Sequence, residues 1–373
     1  MRVIVDRTHL LKSLGRVHRV VERRNTIPIL ANVLIETQSG NLLLKATDLD
    51  VEAIETSSAQ IEREGGVTVP AHLLYEIIRK LPDGAEIALD LKEDSNVLVV
   101  TCGRSNFRVA GLPAKDFPQV STGKFTHQFE MKSEDLKRLI DNTQFAISTE
   151  ETRYYLSGIY FHVVTEGEEV KFRAVATDGH RLALLETQAP VGSETMPGVI
   201  VPRKGVGELQ RLVNEESDGV VKIELSDAKI RFSLGSVVLT TKVVDGTFPE
   251  YQRVIPTAND KKLVIDRAAF AAAVDRVATI SPDRSRAVKL SLGAGQIVIM
   301  VHNPDSGSAE DELPADYTDE ALEIGFNARY LLDIAGQLTS EKAIFSFADA
   351  GSPTLVRDGE ALDALYVLMP MRV

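Results

Sequence analysis

Ala176-Thr177-Asp178-Gly179-His180-Arg181-Leu182 is the stretch that opens the organisation of this chain, because its Thr177-Asp178 is a second copy. Thr47-Asp48 stands 130 residues earlier. Working outward, Val69-Pro70 recurs 132 residues on as Val201-Pro202, and Phe117-Pro118 recurs 131 residues on as Phe248-Pro249. Met369-Pro370 follows Phe248-Pro249 by a further 121. Three pairs in one order at nearly one offset are hard to reach by chance. The period is far above the roughly 20–50 residues of solenoid repeats, so the repeated unit is a whole domain. A length of 373 residues fits two or three domains. Polar connectors near Ser121-Thr122-Gly123 and near Pro256-Thr257-Ala258-Asn259-Asp260 place the boundaries, giving domains 1–122, 123–256 and 257–373.

Each unit shows the same order of elements. A first helix is read from Leu10, Leu14, Val17 and Val21; from Leu136, Leu139 and Ile140 behind Ser133 as N-cap; and from Phe270, Ala273, Val274 and Val277 behind Asp266. Strand-like runs follow at Val33 to Ala46, Gly158 to Thr165 and Ala287 to Val301. A second helix is read from Leu74, Ile77, Ile78 and Leu81; from Val206, Leu209, Leu212 and Val213, opened by Pro202; and from Leu331, Ile334, Ala335 and Leu338, capped by Asn327. Further alternating runs, such as Ile87 to Leu91, Val97 to Cys102, Ile223 to Leu225 and Val237 to Val244, read as antiparallel strands buried on one face. The expected fold is α+β: three repeated domains, each with two helices on antiparallel sheet. A three-domain protein whose repeats record only gene duplication fits the same pattern.

A net charge of −12 repels DNA from the molecule as a whole, so a nucleic-acid role requires local segregation. Residues 1–24 supply it, with Arg2, Arg7, Lys12, Arg16, Arg19, Arg23 and Arg24 against Asp6 and Glu22. Lys12, Arg16, Arg19 and Arg23 are spaced as one helix face, offset by two from the apolar set and therefore expected to point to solvent. Residues 305–323 carry eight carboxylates and no lysine or arginine. Cations on helices and carboxylates in connectors suit phosphate contact on one surface and repulsion on the other; a merely solvated charged face fits as well.

One cysteine, Cys102, excludes an intrachain disulfide and fits a reducing cytoplasm. No zinc-spaced Cys/His cluster, signal-like start or run of ~18 apolar residues is present, so neither metal nor membrane is expected. No phosphate-binding Gly-x4-Gly-Lys loop and no nucleophile elbow occurs, and no cofactor is expected. Asp178 and His180 are the strongest catalytic pair available. With no nucleophile beside them, Asp-Gly reads instead as a tight turn and the chain as non-catalytic. Asp245-Gly246-Thr247-Phe248-Pro249-Glu250-Tyr251 suits one wall of a groove, and the tail from Tyr366 to Val373 suits either core or an adaptable binding surface.

Arg153-Tyr154-Tyr155-Leu156, Ala176 to Leu182, Val199 to Gly205, Val244-Asp245-Gly246 with Phe248-Pro249, Gly325-Phe326-Asn327 and Met369-Pro370-Met371-Arg372 together give a specific resemblance. Over essentially its whole length the chain resembles the bacterial DNA polymerase III beta subunits, the beta sliding clamps. The resemblance implies a head-to-tail homodimer closing into a ring of six domains, with twelve helices around duplex DNA bound without sequence preference. It also implies a groove for short peptides of the replicative polymerase, an ATP-driven clamp loader and repair proteins. One subsite would comprise Leu156, Thr177, Gly179, His180, Arg181 and Leu182 with Pro249, Val254, Val367 and Met369. The adjoining part would comprise Arg153, Tyr155, Asn327, Tyr330, Pro370, Met371 and Arg372. Apolar anchors would enter an aliphatic pocket, with Arg and Tyr at a polar rim. DNA phosphates would meet Arg24, Tyr154, Tyr155, Arg203, Lys204 and Arg253 as well as the basic stripe. At the subunit edge, Phe107 and Val109 would pair with Thr279 and Ile280, while Arg104 faces Glu310, Asp311 and Glu312. Asn106 departs from the basic residue expected there and Thr279 from an apolar one, departures that bear on the strength of the edge and not on its location.

Overall fold

The computed structural model describes all residues except 93, 94, 121, 122, 282–285, 360 and 362. The first connector's Ser121 and Thr122 therefore lie outside the described residues. Six α-helices stand among the described residues: α1 (Arg7–Val17), α2 (Ala71–Arg79), α3 (Ser133–Asp141), α4 (Arg203–Glu215), α5 (Arg267–Ala278) and α6 (Ala328–Ala335). Every strand pair among the described residues is antiparallel. No helix among the described residues is long and apolar enough to cross a membrane. The chain packs as two compact units, and the middle repeat divides between them.

The first unit takes in Met1–Lys137, Pro190–Met196 and Lys204–Val243. A nine-stranded sheet runs through it, joined where Val51–Ser58 pairs with Val237–Lys242, with Ala53 opposite Leu239. A five-stranded sheet ends in Ser105–Ala110, which pairs only with Val97–Cys102 and leaves its other edge open. The alternation read from the sequence holds: Leu98, Val100 and Cys102 are buried, and the residues between them are half-exposed. Leu10, Leu14 and Val17 of α1 and Leu74 and Ile78 of α2 are fully buried beside these sheets. The run from Val33 to Ala46 is a hairpin rather than one strand, Asn32–Gln38 and Asn41–Thr47, turning at Ser39 and Gly40, both at positive φ.

The second unit takes in Arg138–Ala189, Pro197–Arg203 and Val244–Val373. Its eight-stranded sheet is joined where Arg181–Gln188 pairs with Ala364–Leu368. A four-stranded sheet ends in Gly307–Pro314, which pairs only with Gln296–Asn303. Asp266 and Asn327 cap α5 and α6 as expected, accepting from the backbone N–H of Ala269 and of Arg329. The predicted apolar faces of both helices are buried.

Three local expectations need correction. Ser133 is the first residue of α3 rather than its cap, and its buried Oγ has no hydrogen-bond partner. Pro202 closes the strand Val199–Pro202 and precedes α4. The basic stripe is not one helix face, because α1 ends at Val17; Arg19 lies in a 3-10 turn and Arg23 beyond it. Arg16 does not reach solvent. Its side chain is 2% exposed and donates to Glu215 at 2.9 Å, Glu216 at 2.6 Å and Glu55 at 3.2 Å. Helical periodicity placed it opposite the apolar stripe, but the carboxylates at the end of α4 and on Val51–Ser58 cover that side of α1.

Candidate functional site

The turn at 177–181 is built by its own side chains. Thr177 Oγ1 donates to the Arg181 carbonyl at 2.7 Å and accepts from Gly179 N–H at 3.1 Å. Asp178 Oδ1 accepts from the backbone N–H groups of His180 and Arg181 at 2.9 and 3.0 Å. Gly179 adopts φ +87°, and a Cβ there would also lie 2.5 Å from Arg153 Nη1. Asp178 is therefore consumed by the turn.

Behind the turn lies an apolar floor. Leu156, Leu182 and Val367 are buried in one cluster with Val175, Leu184, Ile200, Phe248 and Tyr251. Leu182 and Val367 are register partners across the sheet. Phe248 stacks on Tyr160 at 4.8 Å, and Tyr251 Oη lies 3.0 Å from His162 Nε2, which fixes the segment carrying Pro249 and Val254. Val254 and Met369 are exposed apolar side chains, at 48% and 38%. Met369 N–H donates to the His180 carbonyl at 2.9 Å, and Met371 N–H donates to the Gly325 carbonyl at 2.8 Å. The tail is thus laid along two elements, bringing Pro370, Met371 and Arg372 beside the strand that leads to Asn327. Asn327 spends its side chain on the α6 cap, and Tyr330 follows one turn later, 6.4 Å from the His180 ring.

The polar rim differs from expectation at one residue. Arg153 is half-exposed, pairs with Glu150 at 3.0 Å and donates to the Asp178 carbonyl, as a rim residue can. Arg181 instead turns inward, 8% exposed. The turn directs its side chain beneath the loop, where two carboxylates and a carbonyl already satisfy it. A cavity of about 330 Å³ opens beside it, lined by Phe145, Ser148, His180, Arg203 and Tyr330 among others. Phe145, Asp333 and His162 were missed from the sequence. None carries a motif, and only the folded register brings them to this site.

Three models of one family match consecutively: the N-terminal, central and C-terminal domains of the DNA polymerase III beta subunit, at residues 1–121, 130–250 and 252–372. The chain belongs to that family. It is 53% identical to the beta sliding clamp of Caulobacter vibrioides, with all of both chains covered. A crystal structure of the DnaN sliding clamp of Bartonella birtlesii bound to griselimycin superposes with a TM-score of 0.98 at 60% identity over both full chains. The corresponding griselimycin-bound structure from Pseudomonas aeruginosa gives 0.94 at 41%, again over both full chains. The fold is thus that of three clamp domains, helices with antiparallel sheets, as the repeats indicated.

The other residues singled out by resemblance to the beta subunits divide by exposure. Lys12, Arg19, Arg23, Arg24 and Arg203 are exposed and make no ion pair among the described residues. Tyr154 is exposed, Tyr155 half-buried against the floor cluster, and Arg253 exposed with Glu250 at 2.5 Å. Lys204 departs from this pattern: its ammonium donates to the Val20 carbonyl, to Glu22 and to Asp48, so it arrives already neutralised. At the open sheet edges, Arg104 is exposed and Phe107 half-buried, but the Val109 side chain faces its own core. Thr279 is exposed, Ile280 half-buried, and Glu310 and Glu312 are exposed on the edge strand Gly307–Pro314. Asp311 of that strand is already paired with Arg276 at 2.7 Å.

Proposed function

We propose that the chain is a sliding clamp: a non-catalytic ring that encircles duplex DNA, tethers the replicative polymerase and other partners, and so confers processivity. The observation that carries this reading is the unbroken succession of three beta-subunit domain models across 1–121, 130–250 and 252–372. The ring is a head-to-tail homodimer. Two open strand edges of opposite charge support this: Ser105–Ala110, flanked by Arg104 and carrying Arg108, and Gly307–Pro314, carrying Glu310, Asp311 and Glu312. Such edges pair readily with a second chain. In the dimer Phe107 sits against Ile280 and Thr279, and the three domains are bounded at 1–122, 123–256 and 257–373.

Exposed, unpaired Lys12, Arg19, Arg23, Arg24 and Arg203, with Arg253, Tyr154 and Tyr155, serve as phosphate and sugar contacts without base readout. Weak contact suits sliding, and topology supplies persistence. Peptides of polymerases, the clamp loader and repair proteins bury their apolar anchors over Leu156, Leu182 and Val367, between Pro249, Val254 and Met369. Thr177, Gly179 and His180 border that pocket. Arg153, Tyr155, Asn327, Tyr330, Pro370, Met371 and Arg372 flank it. The working compartment is the cytoplasm.

Retention on DNA of defined topology tests this reading. Protein loaded on nicked circular plasmid by a clamp loader and ATP is filtered by size before and after one cut. Retention on circles and release on linearisation is expected; equal retention on both forms refutes encirclement.

A further inference from the structure

Arg181 lies beneath the groove proposed above, and its partners define a task distinct from peptide contact. Nε donates to Asp178 Oδ2 at 3.2 Å, Nη1 to Asp333 Oδ2 at 2.6 Å and Nη2 to the Phe145 carbonyl at 2.6 Å. The guanidinium carbon stands 4.3 Å from the centre of the Tyr330 ring and 5.1 Å from that of Phe145. One cation thus ties three separate pieces of chain together: the 177–181 turn, α6 through Asp333, and the 3-10 turn Gln144–Ala146. The two rings lie within cation–π range. Every guanidinium nitrogen has an acceptor, so a peptide carboxylate could reach Arg181 only by displacing Asp178 or Asp333.

We infer that Arg181 is a positioning residue, which fixes the Tyr330 ring against His180 and thereby couples the two parts of the peptide groove without touching the peptide. His180 rides on the same turn, and its carbonyl holds Met369 N–H. Tyr330 rides on α6, one turn before Asp333. The Arg181 fork is what joins these two carriers on their buried side. Lysine cannot replace it, because a single ammonium does not reach three acceptors in a plane while lying flat on a ring.

The inference rests on the groove reading, so the test reads each separately. 3-Fluorotyrosine placed at 330 reports the ring by fluorine NMR with no ligand present. Arg181→Met and Arg181→Lys should both shift and broaden that signal, while 3-fluorotyrosine at the buried Tyr317 stays unchanged. Asp333→Asn, a milder change, should move it in the same direction if either arginine variant folds poorly. Griselimycin then serves as probe in calorimetry. Arg181→Met should weaken binding about tenfold in the parent chain, the size of one lost ring contact, and hardly at all in a Tyr330→Ala background. Arg181→Lys should not restore affinity. An unmoved fluorine signal at 330, or equal losses in both backgrounds, overturns the inference. Failure of the parent chain to bind griselimycin counts against the groove, and the fluorine signal still decides the role of Arg181.

Discussion

Adding one methyl group at Gly325 should separate the tail's role in binding from its role in folding. Gly325 lies in the strand Leu322–Asn327, and its carbonyl accepts from Met371 N–H at 2.8 Å. A Cβ there would stand 2.6 Å from the Met371 carbonyl oxygen and press on a Val373 methyl. Ordinary contact begins near 3.4 Å, so the tail must retreat by roughly 0.8 Å. Losing the Met371 N–H to Gly325 hydrogen bond costs about 0.5–1.5 kcal/mol. That is small beside a total stability of about 5–15 kcal/mol, and corresponds to a fall of a few degrees in melting temperature. Pro370, Met371 and Arg372 would nevertheless leave their places at the proposed groove. Gly325→Ala should therefore fold normally and bind griselimycin about tenfold more weakly. Gly158→Ala supplies the contrast. The same methyl there meets the Val201 carbonyl oxygen and Ile200 Cγ2 between two strands paired over four successive positions. Its cost should be several kcal/mol. Calorimetry of binding and of melting on both variants distinguishes these outcomes. Unchanged affinity in Gly325→Ala would show that tail position does not shape the groove, and melting as poor as that of Gly158→Ala would show that the tail is not the element that gives way.

Arg16→Met should destabilise the chain by about 3–5 kcal/mol, because it leaves Glu55, itself 4% exposed, buried without its cation. Arg19→Met, at an exposed site, should stay within about 0.5 kcal/mol of the parent. Urea denaturation reads both, and equal midpoints would refute the buried-network account. The third prediction concerns pH. His162 is held neutral, its pKa lowered to about 4 by burial first and by the Arg173 charge second. The unfolded imidazole takes its proton near pH 6.5, while the native one takes it only near 4. Stability should therefore be unaffected by this group above pH 6.5 and fall between 6.5 and 4, by about 3 kcal/mol in full at ~1.4 kcal/mol per pKa unit. His162→Gln should flatten that part of the profile in urea midpoints taken across the range, and an unchanged slope would exclude His162 as its source.

The fold was legible in the sequence because its signals are local and repeated. Apolar periodicity found the six α-helices of the described residues, and Asp266 and Asn327 cap where short polar side chains are expected to. The errors arise where distant chain covers a local pattern. Arg16 has the spacing of an exposed residue on α1, and only the approach of Glu215 and Glu216, some 200 residues later, buries it. Lys204 looks like a free cation until Glu22 and Asp48 are placed beside it. The proposed groove was legible only through family resemblance, since the residues assigned to it come from stretches near 153–182, 249–254 and 327–372. No period in the sequence links those three.

The first and second repeats show why a duplicated motif marks fold more readily than function. Around Thr47, the turn is made with the same atoms as around Thr177: Thr47 Oγ1 donates to the Val51 carbonyl and accepts from Leu49 N–H, and Asp48 Oδ1 accepts from Asp50 and Val51 N–H. Leu49 even adopts φ +81°, close to the +87° of Gly179. For a leucine that conformation costs of order 1–3 kcal/mol, so the side-chain hydrogen bonds impose the turn regardless of the residue at its tip. The pair Thr-Asp is thus a device for turning one strand back on the next, and its recurrence reports common architecture. What differs is the residue that follows. Val51 enters the strand Val51–Ser58 as a buried apolar residue, and Asp48 Oδ2 is left to Lys204. Arg181 occupies the matching position in the second repeat, takes up Asp178 Oδ2 itself and extends to Asp333 beneath Tyr330. One difference within a shared turn geometry thus ties the second turn to α6, and that difference is invisible to any comparison of the Thr-Asp pairs alone.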